Sequence, residues 1–286
     1  MLNALSFDLE DWYMVYNYSS LYPFSAWKNL QSRIERNTAR LLRLLDSNNT
    51  RATFFTLGYV AEKYPDLVKK IYDSGHEVGC HTYRHDIVYT LSREEFDSDL
   101  KKCKKVIRKV TGSKIKGFRA PSFSITMKSL WAFDVLKDNG FVYDSSVFPI
   151  SHPDYGIPGF KVYPSRLKNG LVEAPLSTVK LFKMNFPVAG GAYFRLFPYC
   201  LTSRLVKKLN RNFPLFFYMH PWEIDASQPR VHNASRNYKL RHYTNLSKTY
   251  NRLHNLIADL EFSRFITCQQ YLSVQSSRGN YQLGGE

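Results

Sequence analysis

The sequence has no C-x-x-C pair. Its four cysteines, Cys80, Cys103, Cys200 and Cys268, stand far apart, which excludes a zinc ribbon or thioredoxin-type motif and argues for a reducing compartment. No window approaches the ~18 apolar residues that a spanning helix needs. Met1 to Leu9 lacks the basic stretch and long apolar run of a signal peptide. There is no internal repeat and no low-complexity linker. Negative charge is scarce: 24 Asp and Glu stand against 40 Lys and Arg, for a net charge of +16 and a pI near 9.6. Such a field attracts nucleic acid, an acidic membrane surface or an acidic glycan, and charge alone does not choose among them. The basic residues are scattered apart from short groups such as Lys101-Lys102 and Lys104-Lys105, which read as solvated helix faces. No nucleic-acid recognition motif is present, and the acids gathered near the N-terminus would repel phosphate, so nucleic acid is not an expected partner. The expectation is a soluble, cytoplasmic chain able to sit peripherally on an anionic inner membrane face.

What is present suffices for a full core. Of the 286 residues, 44% are hydrophobic and 15% aromatic, with 20 Tyr and 20 Phe; sugar clefts use aromatic faces, but so do ordinary cores. Leu2 to Leu9 is a short apolar run ending in acids, as a buried strand with its polar end at a site would be. Further strands are read at Ala52 to Leu57, Glu77 to Cys80, Gly117 to Ala120, Phe141 to Asp144 and Leu215 to Met219. Helical spacing or flanking signals mark Ser32 to Asp46, Val60 to Ser74 before Gly75, Arg93 to Thr111, and Ser129 to Asn139 before Gly140. Strands alternating with helices predict a parallel α/β sheet, open or closed as a barrel, with sites at the carboxyl ends of the strands. Residues 150 to 212 are less periodic and rich in Pro and Gly, suiting an excursion that walls a site; residues 236 to 275 return to helical character, and Ser276 to Glu286 reads as a frayed polar tail.

The polar residues at those strand ends form five groups. Asp8, Glu10 and Asp11 put three carboxylates into four residues after an apolar strand; they would repel one another unless a divalent metal or an arginine stood between them, the alternative being a solvated acidic turn, which the apolar strand before them and Trp12-Tyr13 after them disfavour. His81 and His85 stand four apart, as two imidazoles facing one metal do in a helix or tight turn, although two unrelated surface histidines give the same pattern. Arg119, beside the rigid Pro121, can clamp a carboxylate. Tyr143-Asp144-Ser145-Ser146 follows, and then His220 after a strongly apolar strand. A lone histidine there is more often structural, but a neighbouring carboxylate would fix its tautomer and raise its pKa, as a histidine acid requires.

Taken in this order the groups resemble the NodB-homology polysaccharide deacetylases, carbohydrate esterase family four. Ala52-Thr53-Phe54-Phe55, then Gly75-His76-Glu77-Val78-Gly79-Cys80-His81-Thr82 with His85, carries the resemblance over about residues 1 to 225. Phe118 to Ser124, Gly190-Gly191-Ala192-Tyr193-Phe194-Arg195, His220-Pro221-Trp222-Glu223-Ile224-Asp225 and Arg241-His242-Tyr243 resemble the exopolysaccharide-biosynthesis subgroup and extend it over nearly the whole chain.

The resemblance implies a distorted (β/α) barrel, about seven strands, in a single domain over 1–286. Its core would span about 1–225, with the excursion at about 150–212 and a helical extension at about 226–275. It implies hydrolytic N-deacetylation of an N-acetylated amino sugar, in a polysaccharide or a lipid-linked precursor. One divalent metal would serve it: zinc by preference, with cobalt, nickel or iron fitting similarly. Asp8 would be the base, Arg119 its tether, His220 the acid and Asp144 that acid's partner. His81 and His85 would bind the metal with Asp11, or with Glu10 as the alternative, since Leu9 replaces the second of the family's two adjacent aspartates. Pro121, Tyr143 and Trp222 would meet substrate, and a backbone N–H near Tyr143 would meet the developing oxyanion. Two rivals remain: a related C–N hydrolase of the allantoinase or cyclic-imidase kind, and a non-catalytic glycan-binding relative.

Overall fold

The computed structural model describes residues 1–182, 184–260 and 265–277; of the tail read as frayed, residues 278–286 lie outside them. The chain opens with β1 (Asn3–Leu9), buried along its whole length. There follow α1 (Ile34–Ser47), β2 (Thr53–Thr56), α2 (Gly58–Lys63), α3 (Pro65–Asp73), β3 (Glu77–Cys80), α4 (Arg93–Thr111), β4 (Gly117–Phe118), α5 (Ala132–Asp138) and β5 (Tyr143–Asp144). Where one helix was read from Val60 to Ser74 there are two. Pro65 lacks an N–H and forces Tyr64 out of helical geometry, to φ −128° and ψ 59°. α4 begins on a capping box between Ser92 and Glu95 and stops at Gly112, which takes φ +70°.

The second half is less regular: β6 (Ser165–Arg166), β7 (Val172–Glu173), the hairpin of β8 (Thr178–Leu181) and β9 (Met184–Pro187), α6 (Gly191–Leu196), α7 (Tyr199–Leu209), β10 (Phe216–Met219), α8 (Arg236–Tyr243), α9 (Leu246–Asp259), β11 (Phe265–Ile266) and α10 (Cys268–Ser277).

The main sheet runs β10-β1-β2-β3-β4-β5-β7-β6. Its neighbours from β10 to β7 are parallel, β6 is antiparallel on β7, and β11 adds to the start of β1. The expected parallel α/β architecture is present, but the sheet has nine strands among the described residues. The additions are the short β6 and β11, and β11 lies inside the stretch read as a helical extension. The open side between β7 and β10 is laced by irregular bonds: Phe216 N–H to Ser177 Oγ at 2.8 Å and Tyr218 N–H to Ala189 O at 2.7 Å. The sheet is therefore curled rather than evenly closed.

Strand alternation separates two cores. Leu5, Phe7 and Leu9 face the helices and join the cluster containing Leu41, Leu45 and Val68. Ala4 faces inward with Phe55, Tyr143, Val172, Phe216 and Tyr271, filling the lower part of the curl. Truncating a filler such as Phe55, which has no exposed surface, would cost about 3–5 kcal/mol. Above that plug the inward positions turn polar.

Candidate active site and metal centre

On β1 the inward positions are Ser6 and Asp8, and the same parity carries to Glu10 just past the strand. All three are buried. A buried carboxylate needs a partner, and Asp8 has one: Arg119, itself 1% exposed, donates from Nη1 to Asp8 Oδ1 at 2.8 Å. The same nitrogen reaches Ser6 Oγ at 2.8 Å, and Nε and Nη2 donate to Ser145 O and Oγ, both at 3.0 Å. The guanidinium lies over the Phe55 ring at 4.3 Å. Arg119 is thereby held from every side and fixes one oxygen of Asp8. The other, Oδ2, lies 3.8 Å from His220 Nε2 and faces the cleft.

His81 follows β3 directly, and His85 sits in a turn where Thr82 and His85 take left-handed backbone at φ +64° and +65°. Such strain in non-glycine residues collects at functional sites. The two rings meet at 5.5 Å. His81 Nδ1 lies 2.8 Å from Arg119 O; because a carbonyl accepts, Nδ1 carries the hydrogen and Nε2 keeps its lone pair. Burial pulls His81 down to about 4, against Asp8, so the ring is neutral at physiological pH, as a ligand must be. One ligand atom each from Glu10, His81 and His85 lies within 4.8 Å of the others. Glu10 Oε2 is buried without a hydrogen-bond partner and stands 3.1 Å from His85 Nε2. Burial alone would raise Glu10, but His85 and His220 outweigh it and hold the carboxyl below its usual range. An ionised carboxylate and two imidazoles in a buried cluster fit a divalent transition metal.

Asp11, the preferred third ligand on sequence grounds, is not in this cluster. Its oxygens accept from Trp12 N–H at 2.9 Å, Ser32 Oγ–H at 2.7 Å and Arg33 N–H at 2.8 Å. The chain turns after Glu10, and that turn aims Asp11 at the start of α1 while Glu10 stays with the histidines.

His220 follows β10, whose parity points Tyr218 and His220 inward. Its Nε2 lies 2.8 Å from Glu10 Oε1 and its Nδ1 2.7 Å from Glu223 Oε1. Glu223 Oε2 in turn accepts from Arg195 Nε at 2.5 Å, and Arg195 also donates to His242 O and Thr244 O at 2.8 and 3.1 Å. Burial opposes charge on Glu223, but Arg195 and His220 win and hold it at about 2. Burial likewise opposes charge on His220, but Glu10 and Glu223 outweigh it and push the imidazole up to about 10. A cation sharing Glu10 would weaken that contribution and leave Glu223's. Arg195 is delivered by the double glycine: a Cβ on Gly190 would meet Tyr218 O at 1.9 Å and one on Gly191 would meet Tyr218 Oη at 2.3 Å. Only glycine lets α6 start this close to β10.

The partner assigned to His220 from sequence, Asp144, is elsewhere. Its carboxyl accepts from Ser146 Oγ at 2.5 Å and neighbours the buried Glu173; burial drives both carboxyls up, Glu173 more, under the added charge of Asp144. Tyr143 is also outside the cleft: it is 1% exposed, its hydroxyl donates to Glu77 Oε1 at 2.7 Å, and its N–H is taken by Lys116 O at 3.3 Å. β5 parity sends it into the lower plug, so neither its ring nor its N–H is available to substrate. Pro121 is buried beneath the cleft wall, which its neighbours Ser122 and Phe123 line with left-handed backbone at φ +51° and +54°. Trp222 does line the cleft, stacked 4.2 Å from His242.

The cleft above these groups is open to solvent and is lined by Tyr16, Tyr18, Tyr155, Tyr218, Tyr238 and Arg241. The excursion at 150–212 contributes Asp154, Tyr155, Ala192 and Arg195 to its wall. Sequence reasoning missed Glu223 and Arg195 as functional groups. The signal for Glu223 was its place three residues after His220, where a capping box brings it back; the pair's backbone and side-chain bonds have that form.

Residues 25–143 match the polysaccharide deacetylase family, and residues 145–270 match a domain of unknown function. A peptidoglycan-N-acetylglucosamine deacetylase of Bacillus cereus is 35% identical over 96 residues, covering 33% of this chain and 35% of its own. A peptidoglycan deacetylase of Helicobacter pylori is 31% identical over 121 residues, covering 41% of this chain and 38% of its own. The chain thus spans little more than a third of the curated relatives it matches. A crystal structure named as that of a polysaccharide deacetylase from Mycobacterium smegmatis shares the fold with a TM-score of 0.66, covering 100% of this chain and 93% of the other at 18% identity.

Proposed function

From a chain whose residues 25–143 match the polysaccharide deacetylase family, we propose hydrolytic removal of acetate from an N-acetylated amino sugar within a glycan. The observation that carries this is the meeting of an Arg119-tethered Asp8 and a Glu223-bound His220 above the Glu10, His81 and His85 cluster. Glu10, His81 and His85 would hold one divalent ion, zinc by preference. Bound there, the ion would polarise the amide carbonyl and acidify water. Asp8, with one oxygen fixed and one free, takes a proton from the attacking water. His220, charged and tethered by Glu223, gives a proton to the departing sugar amine, so that water and amide become acetate and amine. The aromatic cleft orients the sugar and sheds water around the reacting bond.

The test is acetate release from N-acetylated oligosaccharides, with zinc added and with zinc withdrawn by chelator. Asp8→Asn should keep its metal and lose about 10² to 10⁴ in rate, the worth of a positioned base. Full activity in Asp8→Asn, or metal loss with it, would remove Asp8 from the role of base.

We also propose that the chain works as a single domain on the cytoplasmic side, peripheral to anionic lipid and acting on a polymer of the exopolysaccharide class or its lipid-linked precursor. Support comes from charge and exposure. Between Glu173 and Glu223 the sequence has seven Lys or Arg and no Asp or Glu. Within that stretch the β8–β9 turn exposes Phe182 at 99% and Met184 at 75%, while α7 exposes Arg204 and Lys208. The four cysteines are free, and no helix among the described residues is long and apolar enough to cross a membrane. Sedimentation with vesicles containing anionic lipid should fall steeply as salt rises. Absence of binding at low salt would remove the membrane part alone.

A further inference from the structure

Two arginines line the cleft, and they are not in the same situation. Arg195 is neutralised by Glu223 at 2.5 Å. Arg241, on α8, has no carboxylate within ion-pair distance among the described residues, and its single side-chain bond runs from Nη2 to Tyr155 Oη at 3.0 Å. Tyr155 does not supply the missing charge, because burial keeps its hydroxyl protonated even against the pull of Arg241. Asp154 lines the same cleft but is turned to solvent, 55% exposed, with His152 as its neighbour at 4.0 Å. A partly buried guanidinium with one bond to a phenol leaves most of its fork of N–H groups to whatever enters the cleft.

Its place is set firmly. The Tyr155 ring stacks on His152 at 3.8 Å and on Phe148 at 6.1 Å, and its hydroxyl also meets Tyr193 Oη at 3.2 Å. From that platform a run of edge contacts leads to the reacting groups: Tyr155 to Phe123 at 6.1 Å, Phe123 to Tyr218 at 4.8 Å, Tyr218 to His220 at 5.7 Å. Arg241 therefore lines the same cleft as His220, held through Tyr155 rather than by the reacting groups.

We propose that Arg241 forms an anion subsite in the cleft, and that the substrate carries a carboxylate or phosphate close to the N-acetylated sugar. This rests on the deacetylase reading above. A neutral glycan would leave a cleft-facing guanidinium with only hydroxyls to bind, whereas a carboxylate or phosphate matches its fork bidentately.

The experiment uses three probes on the full chain: an N-acetylglucosamine tetramer, a hyaluronan tetramer in which glucuronate alternates with N-acetylglucosamine, and an N-acetylglucosamine 1-diphosphate ester. Binding is read by calorimetry and acetate release is read separately. The wild type should prefer at least one acidic probe to the neutral tetramer. Arg241→Gln should weaken that probe about 10- to 100-fold, the worth of a charge-assisted pair, and weaken the neutral tetramer by clearly less. Arg241→Lys should retain part of the preference, and Tyr155→Phe most of it, since the charge remains in both. Loss confined to the hyaluronan arm identifies a carboxylate, and loss confined to the diphosphate arm a phosphate. Equal binding of acidic and neutral probes by the wild type, or equal weakening of all three in a folded Arg241→Gln, would overturn the subsite. Absence of acetate release from every probe would count against the deacetylase reading, while the binding arm would still decide whether Arg241 selects charge.

Discussion

The wall that carries Asp8, Glu10, His81 and Arg119 stands on adjacent parallel strands in register, whereas the wall that carries His220, Glu223 and Arg195 stands on one strand end, a short turn and a helix begun at a double glycine. The division follows the two family matches, 25–143 and 145–270, with β1 preceding the first. On the first wall the polar groups are placed by strand parity, each inward position continuing a column of inward positions. On the second they are placed by contacts particular to this chain, such as Gly190 against Tyr218 and Arg195 against the carbonyls of His242 and Thr244. The histidines reflect the difference. On the first wall burial dominates and His81 is held neutral; on the second, carboxylates dominate and His220 is held charged.

The sharpest way to break this contrast is at the turn after β1, where two neighbouring carboxylates do different work. Glu10→Gln should empty the metal centre and reduce acetate release by at least about 10³-fold, because metal and the carboxylate beside His220 are lost together. Asp11→Asn should leave metal content unchanged and lower stability by about 1–3 kcal/mol, since it removes a charged acceptor for three donors at the head of α1. Elemental analysis and a denaturant titration of both variants decide the matter. Metal lost from Asp11→Asn and kept by Glu10→Gln would return the ligand to Asp11.

The next largest effect belongs to the second wall. Glu223→Gln removes the carboxylate that Arg195 keeps ionised and that raises His220. In the proposed reaction His220 acts in its protonated form, so activity should fall as pH rises through its pKa. Removing Glu223 lowers that pKa, and the falling limb of the pH–rate profile should move to lower pH, with a loss of about 10- to 100-fold at neutral pH. A falling limb that stays in place would mean that another group supplies the proton. Gly190→Ala tests the scaffold rather than the charge. Its Cβ would overlap Tyr218 O, and φ +118° is rarely taken by residues with side chains. About 1–3 kcal/mol should be lost, with kcat falling more than metal content as Arg195 draws away from Glu223.

The same contrast explains what could be read from the chain alone. Strand parity is a property of sequence, so the alternating α/β order, the inward Asp8, the histidine pair and Arg119 were legible once the strands were found. Parity also leaves a known ambiguity where a strand ends. After Glu10 a turn can send the next side chain either way, and here it sent Asp11 to α1. The pairing of His220 with Glu223 rather than Asp144 depends on a capping turn and on Glu173, a buried acid that takes up Asp144; neither follows from spacing on separate strands. Tyr143 was misplaced for a simpler reason: β5 parity points it down the curl, toward Glu77.

The smallest effect distinguishes the two kinds of histidine by pH alone. His76, at the foot of the first wall, is 5% exposed and accepts from Ala52 N–H at Nδ1, 3.2 Å away. Burial, with help from Arg51, lowers it from 6.5 to about 4. Between those values the unfolded chain binds a proton at this site and the folded chain does not. Stability therefore rises with pH across that window, is complete above it, and is lost as pH falls toward 4. His76→Asn keeps an acceptor near Nδ1 and removes the titration. Subtracting the variant's unfolding free energy from that of the wild type cancels the parallel contributions of His81 and His242, which are lowered as well. The difference should shrink by about 1–3 kcal/mol from pH 7 to pH 4. A difference that is flat in pH would mean that His76 meets water or a charge in the folded chain, and that burial does not govern the histidines of the first wall as it does at His81.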